Sequence, residues 1–414
     1  MIRKKKLPEK LNICIVAKNF PMLGRSSEYG FLWPIARNLA KDHNVTVIAW
    51  SNPDKKIEIL QDNVKAYFLY EKGQMKNFTQ KVYEKFNELN KEKPFHIVHS
   101  IDNSAIEIGN HKNSHKVALA YDIESTSMSQ VFSIIGIMND SIKSIISTSI
   151  AVAFTFLSTY LIRDRKLLKS ADGIFVSTPV QQISLERYYL YPSVKTYSVP
   201  YGIEVTDLSP REKSDELRKK LNLPKHSKVA VSLIDVNEEG IVKSILKSFE
   251  KVAIKKPSSR LILIGKTALT KNIELYIYNL ALGSKVIYVN SPSNMEFPDY
   301  TALADVFINL SNQSSGYEST LLEAMAQKKV IIGSEVSPIS TIVSHNVDGF
   351  LVRPADTSEI SNLILKIFND EIDVEVISNN AQANIFNLFD MKKMVSSTVN
   401  AYHNILVSTG NYKK

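Results

Sequence analysis

The chain has 414 residues, 44% hydrophobic and 22% charged, with a formal net charge of +9 and a single cysteine, Cys14. That length exceeds one ordinary core and points to two domains of roughly 200 residues. One cysteine excludes a disulfide framework and suits a reducing compartment. The basic residues are scattered, without zinc-ligand spacing, an aromatic-basic RNA motif or a recognition-helix pattern, which argues against nucleic acid as a partner. The N-terminus, MIRKKKLPEKLNICIVAKNF, has a basic start but no long apolar run before a small-residue cleavage site, so no signal peptide is read there. Its cluster Arg3, Lys4, Lys5, Lys6 and Lys10 reads either as a solvated tail or as a contact with anionic lipid, each such residue contributing about 1 kcal/mol near the surface. The expectation is a cytoplasmic protein, peripheral on the inner face of a membrane.

Short aliphatic runs then alternate with helix-period segments. LNICIVA, VTVIAW, VKAYFLY, HIVHSI, KVALAYD and GIFVST are the candidate strands of the first half. Repeated strand–helix–strand units of this kind give a mostly parallel sheet with helices on both faces. Between KVALAYD and GIFVST lies MSQVFSIIGIMNDSIKSIISTSIAVAFTFLSTYLIRDRK, whose stretch from Ser144 to Ile162 carries no charge. Seven of those nineteen residues are Ser or Thr, and Ile146, Ile150, Phe154, Leu157 and Leu161 fall on one helical face. A core helix or an interfacial helix fits this better than a bilayer span. The basic rim Arg163, Arg165, Lys166 and Lys169 suits lipid headgroups and equally a solvated helix end.

After VPYGIEV a polar stretch, TDLSPREKSDELRKKLNLPKHSK, reads as a linker with a small helix, and the alternation restarts with KVAVSLIDV, RLILIG, KVIYVN, DVFINLS, KVIIGS and GFLV. Ile241, Ile245, Phe249 and Val252 mark one helix face. Asp356 with Glu359 reads as a capping box before a helix facing inward through Ile360, Leu363, Ile364, Ile367 and Phe368. The expected architecture is α/β, two tandem doubly wound Rossmann-like domains over 1–203 and 204–385, with a last helix in 386–414 packing back on the first. Ligands of such sheets sit at the carboxyl ends of the strands, so the cleft between the domains is the expected site. In SSGYESTLLEAMAQKKVIIGS, Gly316 allows a close turn, and Glu323 stands among Leu321, Leu322, Ala324 and Met325 at a spacing that carries it toward the core. A buried carboxylate is costly unless bonded, which suggests a ligand role; capping local amides or pairing with Lys328 or Lys329 is the alternative.

The block from DVFINLS to VDGFLV resembles the donor-site region of glycosyltransferase family 4, retaining nucleotide-sugar enzymes of the GT-B fold. Gly24 sits where that family has its glycine-rich loop, ADGIFVSTP and VPYGIEV resemble the end of its first domain, and the likeness covers almost the whole chain. It implies that Glu323 binds the nucleotide's ribose hydroxyls, a task suited to a carboxylate accepting two charge-assisted bonds. The donor-side set is then Gly24, Gly240, Val289, Asn290, Gly316, Tyr317, Leu322 and Glu323.

The departures from that family cluster on the chemistry. Ser315 stands where a first glutamate would contact the donor sugar. Ile234 and Glu239 stand where an arginine and a lysine would neutralise the diphosphate, and no basic residue lies between Val229 and Lys243. Losing a preorganised charge partner costs several kcal/mol of barrier. Lys266 is the candidate replacement cation, with Lys243 a weaker one. Where the family has a histidine, this chain has Tyr121 with Asp122 and Glu124 beside it, acids that either orient an acceptor hydroxyl or cap the next helix. The candidate catalytic residues are therefore Asp122, Lys266 and Ser315, with Tyr121 and Glu124 on the acceptor side.

Neither a cofactor nor a metal is expected, the nucleotide-sugar being a substrate and the eight histidines lacking ligand spacing. Two readings stand: a transferase acting on a membrane-associated lipid or polysaccharide acceptor, touching the membrane through 1–10 and 128–169, and a non-catalytic GT-B scaffold serving a partner glycosyltransferase.

Overall fold

The structure is a computed structural model that describes residues 8–20, 31–51, 58–70, 77–123, 126–128, 131, 142–204, 209–236, 238–265, 267–290, 292, 296–310, 319–336 and 339–410. Two compact units divide the chain: Met1–Gly202 with Met391–Lys414, and Ile203–Ser314 with Glu318–Asp390.

The first unit is built on β1 (Asn12–Asn19), β2 (Asn44–Ser51), β3 (Glu58–Gln61), β4 (Val64–Phe68), β5 (Ile97–Ile101), β6 (Ala118–Asp122), β7 (Gly173–Val176) and β8 (Thr196–Ser198). They form one sheet in the order β3-β4-β2-β1-β5-β6-β7-β8. Every neighbouring pair is parallel except β3 with β4. All residues of β5, β6 and β7 are buried, as a sheet covered on both faces requires, and this is why these strands do not alternate apolar with polar residues. The antiparallel strand β3 was not signalled by the sequence, because EILQ is short and exposed at alternate positions. Its two-residue turn, Asp62-Asn63, has φ of 48° and 63°, values these residues tolerate and a tight hairpin needs.

The last helix, Met391–Thr409, belongs to the first unit. Met394, Tyr402, Ile405 and Leu406 join Ile13, Ile15 and Phe175 in one core cluster, and the Tyr402 hydroxyl lies 2.7 Å from Nδ1 of His99. Gly173 lets this helix approach β7 closely, since a Cβ there would sit 2.5 Å from Cδ1 of Ile405.

The second unit carries β9 (Val229–Leu233), β10 (Arg260–Gly265), β11 (Val286–Asn290), β12 (Val306–Asn309), β13 (Ile331–Ser334) and β14 (Phe350–Val352). The order is β11-β10-β9-β12-β13-β14, parallel throughout. Before it comes the short linker helix Asp215–Lys220, capped by Ser214. The Asp356 carboxylate accepts from the amides of Ser358 (3.2 Å) and Glu359 (2.9 Å), and Ile360, Ile364, Ile367 and Phe368 of the helix it opens are buried.

Replacing Ile405 with alanine opens a cavity under β7 and should lower the stability of the first unit by about 2–5 kcal/mol, read as a shifted urea midpoint. An unchanged midpoint would show that the last helix is not part of that core.

Candidate functional site

In both sheets the strand order reverses once, between β1 and β5 in the first unit and between β9 and β12 in the second. Helices on either side of such a reversal leave for opposite faces, so a crevice opens beyond the carboxyl ends of the two strands. In the first unit the crevice is a cavity of about 160 Å³. Lys18 from the end of β1, Asp102 and Asn103 after β5, Ile123 after β6, and Arg163, Asp164 and Tyr189 line it. Asp102 is held in the left-handed region, φ 49°, its amide donating to the Asp122 carbonyl at 2.9 Å. Asp164 accepts from the Tyr189 hydroxyl (2.6 Å), the Ser127 amide (2.9 Å) and Nε of Arg163 (3.0 Å), which fixes that wall. Two cations, two carboxylates and a phenol around one small space can hydrogen-bond a polyhydroxylated or anionic group from several sides.

The end of β6 carries a buried polar chain. Oδ1 of Asp122 accepts from the Tyr201 hydroxyl at 2.7 Å, and Phe31 stacks on that ring at 4.3 Å. Oδ2 lies 3.9 Å from Nε2 of His99, too far for a hydrogen bond. Burial therefore decides both charges. It pushes the Asp122 carboxyl up to about 7, against the lowering effect of the Tyr201 bond, and the His99 imidazole down to about 3.

In the second unit the helix Glu239–Lys255 follows β9, and the helix Ser319–Ala326 begins beyond the carboxyl end of β12. Glu323 is 5% exposed on that second helix, among Leu321, Leu322, Ala324 and Met325, all buried. Lys329 is not its counterion, since its ammonium donates to the carbonyls of Ala302 (2.9 Å) and Ala304 (3.4 Å). A carboxylate is thus kept inside an apolar helix at the reversal point of the sheet.

Residues 213–384 match the family model described as Glycosyl transferases group 1. Over that stretch the chain is similar to the group 1 glycosyltransferases. The chain is 23% identical to the N-acetyl-α-D-glucosaminyl L-malate synthase of Bacillus anthracis over 198 residues, covering 48% of this chain and 51% of that protein. It is 21% identical over 233 residues to the UDP-Gal:α-D-GlcNAc-diphosphoundecaprenol α-1,3-galactosyltransferase of Escherichia coli, covering 55% of this chain and 59% of that one. The matches span about half the length of these curated relatives. Among solved structures, sucrose-phosphate synthase from Thermosynechococcus elongatus superposes with a TM-score of 0.74 at 16% identity, over 96% of this chain and 100% of that one. HepE of Anabaena, solved with UDP and glucose, superposes with a TM-score of 0.69 at 15% identity, over 94% and 98%. At these identities the likeness is one of fold, and the fold is GT-B.

Within that stretch, Leu322 is 1% exposed in the core side of the Glu323 helix, and Val289 and Asn290 end the edge strand β11. Gly240 lies in the first turn of its helix, where an added Cβ would meet nothing within 4 Å, so no close approach demands glycine there. Ile234 is 6% exposed and Glu239 pairs with Lys243 at 2.5 Å, a bond that holds the Glu239 carboxyl below its usual range. The Lys243 ammonium also lies 5.5 Å from the Tyr276 ring centroid, so it is committed between two helices. Gly24, Glu124, Lys266, Ser315, Gly316 and Tyr317 lie outside the described residues.

Two first-unit assignments need correction. Tyr121 does not face an acceptor: its ring is fully buried in a core cluster, with the hydroxyl 3.1 Å from Oγ of Ser170. Asp122 is 2% exposed, tied to Tyr201 and not among the residues that line the cavity, whose carboxylates are those of Asp102 and Asp164. Lys18, Asp102 and Asn103 escaped the sequence reading; the available signal was their place directly at the ends of two strands. Among the described residues no cluster of His, Cys, Asp and Glu could hold a metal ion.

The two buried groups make opposite contributions to the pH dependence of stability. The folded state holds the Asp122 proton more tightly than the unfolded chain, so this group's contribution falls as pH rises from about 4 to about 7. For His99 the unfolded chain holds the proton, so its contribution rises from about pH 3 to about 6.5. In Asp122→Asn stability should climb with pH across that window, by up to about 1.4 kcal/mol per pH unit relative to the parent. His99→Gln should tilt the other way. Equal slopes in chemical denaturation at both ends of the window would contradict the assignment of both as neutral.

Proposed function

We propose that the protein is a glycosyltransferase that moves a sugar, with retention at the anomeric carbon, from a nucleotide-sugar to a lipid-linked or polysaccharide acceptor. In the reaction the anomeric bond to the diphosphate breaks and releases the nucleoside diphosphate. The acceptor oxygen bonds to the same carbon and gives up its proton to the departing diphosphate oxygen. The observation that carries the reading is Glu323, a carboxylate 5% exposed on an otherwise apolar helix at the reversal point of the second sheet. A carboxylate so placed can accept charge-assisted hydrogen bonds from the vicinal hydroxyls of a ribose.

The second unit takes the donor in this reading and the first unit takes the acceptor, with Asp102 and Asn103 orienting its hydroxyl in the cavity. Lys266 is the candidate for the positive charge that Ile234 and Glu239 do not supply, and Ser315 the candidate contact to the sugar. Gly24 and the Gly316-Tyr317 turn complete the donor side, and Glu124 remains an acceptor-side candidate. The Escherichia coli relative's name joins a UDP-linked sugar to a diphosphoundecaprenol-linked acceptor, and that of Streptococcus pneumoniae, α-monoglucosyldiacylglycerol synthase, joins a sugar to a lipid. An acceptor of that kind lies in a bilayer, so the reading carries contact with the membrane's inner face.

Calorimetric titration with UDP, GDP and ADP and their sugar conjugates tests it. One base should bind, and Glu323→Ala should weaken that binding by about 10- to 100-fold, the loss of one or two charge-assisted hydrogen bonds. Glu323→Gln, which keeps the volume, should fall between. Lys266→Ala should cut turnover by about a hundredfold or more. No binding by the parent protein at millimolar nucleotide would overturn the donor site and leave the scaffold reading, which the missing cations at Ile234 and Glu239 favour.

A further inference from the structure

We infer that the helical face from Ile145 to Ile162 is a docking surface for an anionic lipid bilayer. The inference deepens the proposed function by naming the surface on which the acceptor is met, and it rests on that reading only to that extent.

The periodic stripe in this segment is not a core stripe. Ile146, Ile150, Phe154, Leu157 and Ile162 are 56, 65, 69, 59 and 66% exposed. Large side chains this open, in an unbroken run along one element, are uncommon on a soluble surface and mark a contact with something apolar. Among the described residues no helix is long and apolar enough to cross a membrane, so the contact is lateral. Two hydroxyls in the C-terminal half of the run do not oppose it. Ser158 donates to the Phe154 carbonyl at 2.6 Å and Thr159 to the Thr155 carbonyl, so neither brings an unpaired donor to the lipid.

Charge selects lipid over a protein partner. The run from Ser144 to Ile162 carries no charge, and Arg163, Arg165, Lys166 and Lys169 follow it at once. Arg165, Lys166 and Lys169 are exposed. The one acid among them, Asp164, is 12% exposed and turned to Tyr189, Ser127 and Arg163, so the outward rim is positive. An apolar face ending in a basic rim matches the boundary between acyl chains and anionic headgroups.

The backbone explains how one helix serves two surroundings. It is α-helical over Ile142–Thr155 and π-helical over Phe156–Asp164, a widened form found mostly at functional positions. Across the wide turns Tyr160 is directed inward, 8% exposed, its hydroxyl donating to the Tyr188 carbonyl at 2.5 Å and its ring 4.8 Å from that of Tyr189. Arg163 and Asp164 then line the cavity while Leu157 and Ile162 stay outside. A bilayer seated on the outer face would therefore bring its headgroups next to the wall of the cavity.

Flotation of the full chain with vesicles of phosphatidylcholine, with and without phosphatidylglycerol, tests this. Binding should be at least about tenfold greater with the anionic lipid. Phe154→Ser with Leu157→Ser should lower it by about tenfold or more, and Arg165→Glu with Lys166→Glu should remove the preference for anionic lipid. Both double variants change exposed residues and should keep the parent's cooperative thermal melt. Flotation unchanged in the Ser variant would overturn the inference. So would a parent that does not float but is a dimer that the Ser variant dissociates, since the face would then join two copies. Glu323→Ala is expected to lose nucleotide and still float, so a failed donor site and a failed docking face give different results.

Discussion

A parallel sheet must be covered on both faces, and its order must reverse somewhere if helices are to reach both. This constraint shapes each unit. It buries every residue of β5, β6 and β7, it sends consecutive helices to opposite sides, and at the reversal it leaves strand ends that no helix covers. Lys18 and Asp102 stand at one such opening, and the Glu323 helix begins at the other. Polar side chains are tolerated there because the crevice, unlike the layers beside it, can admit water or a ligand.

The same constraint separates what the sequence disclosed from what it did not. Strands such as LILI within RLILIG and GIFV within GIFVST were legible because burial on both faces favours apolar residues, and the Asp356 cap was legible because its signal is local. Glu323 stood out for a related reason, as one acid among Leu321, Leu322, Ala324 and Met325. Lys18, Asp102 and Asn103 were not legible: β1 and β5 are far apart in the chain, and only the strand order makes their ends neighbours.

Tyr121 and Asp122 show a different failure. In a strand buried on both faces the alternation of side chains carries no polarity label, so residues at its end cannot be assigned to cavity or core from pattern alone. The stripe Ile146, Ile150, Phe154, Leu157 fails in the same way at the level of a helix. Periodicity establishes that an apolar face exists, whereas what covers that face depends on elements elsewhere in the chain.

The placement of the last helix has a consequence for how the protein is made. Residues Met391–Thr409 fill the first unit's core, yet they leave the ribosome only after the whole of the second unit. The second unit is nearly continuous in sequence and has all its strands once β14 emerges, so it can close while the first unit still lacks Tyr402, Ile405 and Leu406. The order of completion is then the reverse of the order of synthesis. Until that helix emerges, Phe175, Ile13 and their neighbours form an apolar seam that a chaperone must shield or a neighbouring chain can capture.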